Sequence, residues 1–172
     1  ESADVPLSAP DRTVIVEATK QLQPDRLFRE AMEQALRRRT GESLPVVTWH
    51  TAEESDTAGT DPLVEARARG LDGLLEFAID ALGLAAGEER DTFGVFVQVR
   101  VRALDARDGQ LRYERVLSYG PGHTVAGLPR SDFHTVEFLA ADQGRVFRQV
   151  ASDAIRRLAR VLSTDPQLPL AP

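Results

Sequence analysis

The stretch TFGVFVQVRVRAL, residues 92–104, decides the fold: Phe93, Val95, Val97, Val99, Val101 and Ala103 fall at every second position, with Gln98, Arg100 and Arg102 between them. Successive side chains of an extended chain point to opposite faces, so this alternation specifies a strand with one apolar and one hydrated side. Residues 105–109 (DARDG) concentrate turn formers. Leu111, Tyr113, Leu117 and Tyr119 then alternate again, interrupted by Arg115, which completes a β-hairpin. A sheet covered on both faces would show unbroken apolar runs in place of the polar positions, so one face of this sheet is expected to meet water.

Working outward, Leu75, Phe77 and Ile79 alternate with Glu76, Ala78 and Asp80 and predict a further half-buried strand. Before it, Asp61-Pro62 is an N-cap followed by proline in the first helical turn, predicting a short helix through Arg69 that stops at Gly70. A longer helix is predicted from Pro24, with Phe28, Met32, Ala35 and Leu36 at helical spacing. Arg37, Arg38 and Arg39 lie at its negative dipole end before Gly41. The β-branched run TVIVE, residues 13–17, predicts a buried first strand, and LPVVTW, residues 44–49, a second one whose Pro45 places it at an edge or a strand entry. From near Leu139, the positions Phe147, Val150, Ala154, Leu158 and Val161 recur three or four apart, predicting a closing amphipathic helix.

The expected order is therefore β-α-β-α-β-β-β-α. This is an α/β (α+β) two-layer sandwich, a mixed sheet of about five strands with three helices on one face, since right-handed crossovers put the early helices on the same side. Residues 1–12 read as a tether, 13–162 as a single domain and 163–172 as a flexible tail.

The composition excludes several classes of function. With 21 basic against 27 acidic residues, a net charge of −6 argues against generic nucleic-acid binding, which needs clustered cations to release counterions. The chain has no cysteine, which removes disulfides, thiolate metal sites and cysteine nucleophiles. No apolar run approaches the ~20 residues of a spanning helix. Because the first residue is Glu1, a preceding segment is expected to have been removed, and any membrane attachment to have come from it as a lipid or signal anchor.

Two groups of residues are candidates for function. Phe96, Arg100, Arg102, Arg112 and Glu114 are expected on the hydrated sheet face, where Phe96 is the aromatic exception and a candidate contact for a protein partner. The irregular segments 50–60 and 120–134 hold all three histidines. His50, His123 and His134 with Asp132 could supply three nitrogens and one oxygen to zinc, although their spacing matches no recognisable ligand motif. No cofactor is expected: the GPG turn at 120–122 lacks the glycine pattern and lysine of a phosphate loop.

The arrangement resembles a family of small envelope lipoproteins whose domain is like the amino-terminal domain of TolB and the periplasmic part of the curli secretion channel. The likeness spans residues 13–162. It is carried by the element order, the helix ending ALRRRTG (35–41), the helix-to-strand passage ARARGLDGLLEF (66–77), the hairpin VRALDARDGQL (101–111) and the arginine-rich last helix. It implies a periplasmic accessory protein, anchored to the outer membrane by an N-terminal lipid, that binds other envelope proteins without catalysis. A homo-oligomeric ring is a further implication. The alternative expectation is a metal-dependent periplasmic hydrolase using the loop histidines.

Overall fold

A computed structural model describes residues 8–42, 45, 61–87, 89 and 91–169. Its elements in order are α1 (Ala9–Leu22), α2 (Pro24–Thr40), α3 (Pro62–Ala68), β1 (Gly73–Ala86), β2 (Phe93–Asp105), β3 (Leu111–Tyr119) and α4 (Val136–Ser163). The chain is an α+β protein. The three strands among the described residues form an antiparallel sheet in the order β1-β2-β3, in place of the expected mixed sheet of about five.

The first expected strand is a helix, and this removes the first of the two parallel crossovers expected of a mixed sheet. Residues 13–17 are β-branched, but the Ser8 side chain caps the helix by accepting from the Asp11 amide, and Pro10 occupies the first turn. Ile15, Ala18 and Leu22 then fall on one helical face, with Ile15 and Ala18 buried and α4 as the main contact. Helix propensities differ by at most about 0.7 kcal/mol per ordinary residue, so burial of such a face outweighs the local β preference. Helix α1 includes residues 9–12, read above as tether. The strand expected at 44–49 lies outside the described residues, Pro45 apart.

Elsewhere local signals hold. Helix α2 starts with Pro24 in its first turn and ends at Gly41, a left-handed cap at φ 77° whose amide donates to the Arg37 carbonyl. Helix α3 is capped by the Asp61 side chain, which accepts from the Leu63 amide at 2.9 Å. The hairpin and β1 lie where alternation placed them. Val97, Val99 and Val101 of the central strand are fully buried together with Phe28, Met32 and Leu36 of α2 and Leu139, Phe147, Ile155 and Leu158 of α4. Phe28 meets Phe77 of β1 edge-to-face, at 6.2 Å between ring centroids. Helices α2 and α4 cover this face, α1 joins through α4, and α3 packs against β1, so a fourth helix adds to the three expected.

Helix α4 is broken between Ala141 and Gly144, where Asp142, Gln143 and Gly144 all have left-handed backbone angles. The break sits at the crossing with α1: a Cβ on Gly144 would lie 2.5 Å from that of Ala18. Arg148 ties the crossing together, donating to the Gln143 carbonyl at 2.8 Å and to Gln21 Oε1 at 2.9 Å. Left-handed geometry costs a residue with a Cβ about 1–2 kcal/mol. Gln143→Gly is therefore expected to stabilise the protein by about 1 kcal/mol, raising Tm by about 2–4 °C. Gly144→Ala should lower Tm in the same thermal denaturation experiment, since it adds both a strained φ and a clash.

Candidate functional site

The sheet face turned away from α2 and α4 is organised in cross-strand rows. Register places Leu104 between Leu74 and Leu111, Arg102 between Glu76 and Glu114, Arg100 between Ala78 and Val116, and Gln98 between Ala81 and Ser118. Each charge of the middle rows meets its opposite. Arg102 lies 3.6 Å from Glu76 and 3.4 Å from Glu114, and Arg100 donates to Asp80 at 2.8 Å. Asp80 can reach Arg100 because β1 carries a bulge between Ile79 and Ala81. Gln98 donates to the Ser118 hydroxyl at 2.9 Å.

Arg112 sits differently from its expected place in the row. The ladder passes from Tyr113 to Leu111, so Arg112 is the extra residue of a second bulge and reaches over the turn to Asp105 at 3.0 Å and Asp108 at 3.3 Å. The Arg107 amide, and after it the Arg112 guanidinium, hold the Asp105 carboxyl below its ordinary range. Arg100, Arg102, Arg112 and Glu114 thus come to the same side of the hairpin already neutralised, and exposed pairs of this kind contribute about 0–1 kcal/mol each. What this side offers a partner is apolar: Leu111 is 47% and Val116 46% exposed. Phe96 is half-buried, its ring packed edge-on to His123 at 5.2 Å.

The loop histidines point to separate neighbours. His123 Nδ1 is 3.0 Å from the Pro121 carbonyl, and its ring rests on Phe96. The His134 backbone bridges to Phe93 at 2.7 and 2.9 Å, while its ring lies against Phe138 at 4.9 Å. Asp132 follows the loop over β2, its carbonyl oxygen beside Gly94. Among the described residues no three His, Asp or Glu side chains converge on one point; His50 lies outside them.

A cluster that sequence reasoning missed lies along β3, where the segment after α4 returns to that strand. The Tyr113 hydroxyl donates to Asp165 Oδ2 at 3.0 Å, Arg115 Nη1 approaches the same oxygen at 3.3 Å, and the Gln167 amide donates to Oδ1 at 2.9 Å. Arg39 Nη1 donates to the carbonyls of Ser163 at 2.7 Å and Asp165 at 3.0 Å, and Leu168 is buried in the core. The Gln167 amide, then Tyr113 and the Arg115 and Arg39 cations, lower the Asp165 pKa. Burial, and then the Asp165 carboxylate, push Tyr113 up to about 12. Arg115, which interrupts the apolar alternation of β3, is thereby explained as the partner of Asp165. Two shallow grooves flank it along the strand edge. One of about 350 Å³ lies between Leu117, Val161 and Asp165, and one of about 440 Å³ between Leu117, Val125 and Val161.

No protein-family model matches the chain, and no match among curated proteins reaches significance. Among the described residues no helix is long and apolar enough to cross a membrane.

The Tyr113–Asp165 contact has consequences at both ends of the pH scale. A carboxyl with a lowered native pKa contributes stability above the ordinary aspartate range, and this is lost as pH falls through the native value. A phenol with a raised pKa contributes stability that is intact below about 10 and disappears as pH rises towards its native value of about 12. Tyr113→Phe is expected to cost about 1.5–3 kcal/mol at pH 7, as loss of a hydrogen bond to a charged group. In urea denaturation at stepped pH, that deficit should shrink above pH 10 (the ordinary tyrosine value), and Asp165→Asn should flatten the acid limb.

Proposed function

We propose that this chain is a non-catalytic accessory protein of the bacterial envelope, held in the periplasm and attached to the outer membrane by an N-terminal lipid, that works by binding other envelope proteins. The observation that supports this most directly is a sheet with helices on one face and, on the other, internally paired charges around exposed Leu111 and Val116. A surface whose ion pairs are already satisfied gains little from a charged small molecule. It does offer apolar area and a polar rim, the composition of protein-binding surfaces. The compartment and the anchor rest on the likeness of the helix ending at 35–41, the hairpin at 101–111 and the arginine-rich last helix to envelope lipoproteins.

A photo-activatable residue at Val116, compared with one at Arg156 on the exposed side of α4, tests the reading in cells of the source bacterium. Discrete protein adducts from position 116 and none from 156 are the expected outcome. Equal or absent labelling at both would remove the sheet side as the binding surface. Metal analysis of the same purified protein covers the hydrolase alternative: stoichiometric zinc that is lost in His123→Ala would replace the accessory reading.

A further inference from the structure

The two outer strands of the sheet are guarded unequally. On β1, the Ile79 amide donates to Asp25 of α2 at 3.1 Å, next to the Asp80 bulge, so side chain and irregularity both occupy that edge. On β3, the bulge at Arg112 disrupts only the start of the strand. Beyond it, residues 114–119 run without proline, glycine or register shift, and among the described residues their backbone groups have no partner other than β2. Both grooves lie along this stretch, the first on its helix side and the second between the strand, Val161 and residues 122–126 of the following loop. Between them the Arg115 side chain is 49% exposed although its partner Asp165 is only 9% exposed. A guanidinium has five N–H donors, so one carboxylate oxygen leaves donors facing outward.

We propose that the edge of β3 at residues 114–119, unpaired among the described residues, receives an extended peptide segment of a partner protein as a fourth strand, with an acidic side chain opposite Arg115 and an aliphatic one opposite Leu117. The spacing follows from the pleat. Positions two apart in an added strand face the same side, so the side chains opposite Arg115 and Leu117 both point towards α4. There the first meets the outward guanidinium donors, and the second enters the groove walled by Val161 and Val125. Main-chain hydrogen bonds supply affinity and the two side chains supply selection, as in strand addition generally. This deepens the accessory-protein reading by naming the chemistry of the partner.

The probe is a fluorescein-labelled peptide, Thr-Val-Thr-Asp-Thr-Val-Thr, titrated with the purified full chain and followed by anisotropy. Saturable micromolar binding is the expected result. Methylating alternate backbone amides on the pairing edge should weaken binding at least about tenfold, a change of 1.4 kcal/mol or more. Replacing the Asp by Lys should weaken it similarly, and more so at low salt. Arg115→Gln should bring the Asp peptide down to the affinity of its Asn counterpart while leaving the Asn peptide unchanged. Absence of binding by the parent peptide, or equal binding by the methylated one, overturns the proposal without any variant of the protein being needed. Peptide binding without cellular adducts at Val116 would retain the edge site and remove the envelope role, and the reverse pattern would retain the role and remove the site.

Discussion

The fully buried valines of β2 and the long helix laid over them are the contact on which the remaining structure depends. Val97, Val99 and Val101 occupy the middle of the central strand, and Phe147, Ile155 and Leu158 of α4 share their core. Fully burying a side chain of this size is worth about 1.5–3 kcal/mol, so the group as a whole outweighs any ion pair in the molecule. Helix α2 then has only one place to put Phe28, Met32 and Leu36, in the angle between α4 and β1. Helix α1, which lacks a broad apolar face, reaches the core through α4.

This dependence explains why α4 tolerates an unfavourable backbone. Without the left-handed turn ending at Gly144, the helix could not meet α1 at the separation set by Ala18, and Arg148 fastens the two helices where the turn leaves the Gln143 carbonyl free. At its other end α4 is closed by a longer-range device. Arg39, from the C-terminal turn of α2, donates to carbonyls of residues 163 and 165, which fixes the segment that carries Asp165 to Tyr113 and Arg115. The run of three arginines at the end of α2 therefore does more than complement the helix dipole: one of them joins two helices and the tail.

The other side of the sheet follows a different rule. Its cations were legible as a hydrated face, but a list of charged residues does not say which of them are already satisfied. Glu76–Arg102–Glu114 and Asp80–Arg100 are paired across strands, and Arg112 is turned aside by a bulge. The surface available to a partner is accordingly apolar, around Leu111 and Val116, and backbone, along the part of β3 that is unpaired among the described residues. The grooves beside Arg115 matter more than the count of arginines.

Where a structural decision is local, the amino-acid sequence made it. Alternation set β1, β2 and β3, Asp105 to Gly109 set the turn, and proline, aspartate and glycine at their proper positions set the limits of α2 and α3, because these signals act within a few bonds of the residues they govern. Residues 13–17 had no such privilege. Their β-branched side chains favour extension by only tenths of a kcal/mol each, and the burial of Ile15 and Ala18 beneath a helix more than a hundred residues away reversed the outcome. The same distance hid the partner of Arg115, the register that made Arg112 a bulge, the break in α4, and the separation of His123 from His134 into different aromatic contacts. Each of these was decided by which surfaces met once the chain had closed, since the energy of a long-range contact belongs to the pair and is written in neither residue alone.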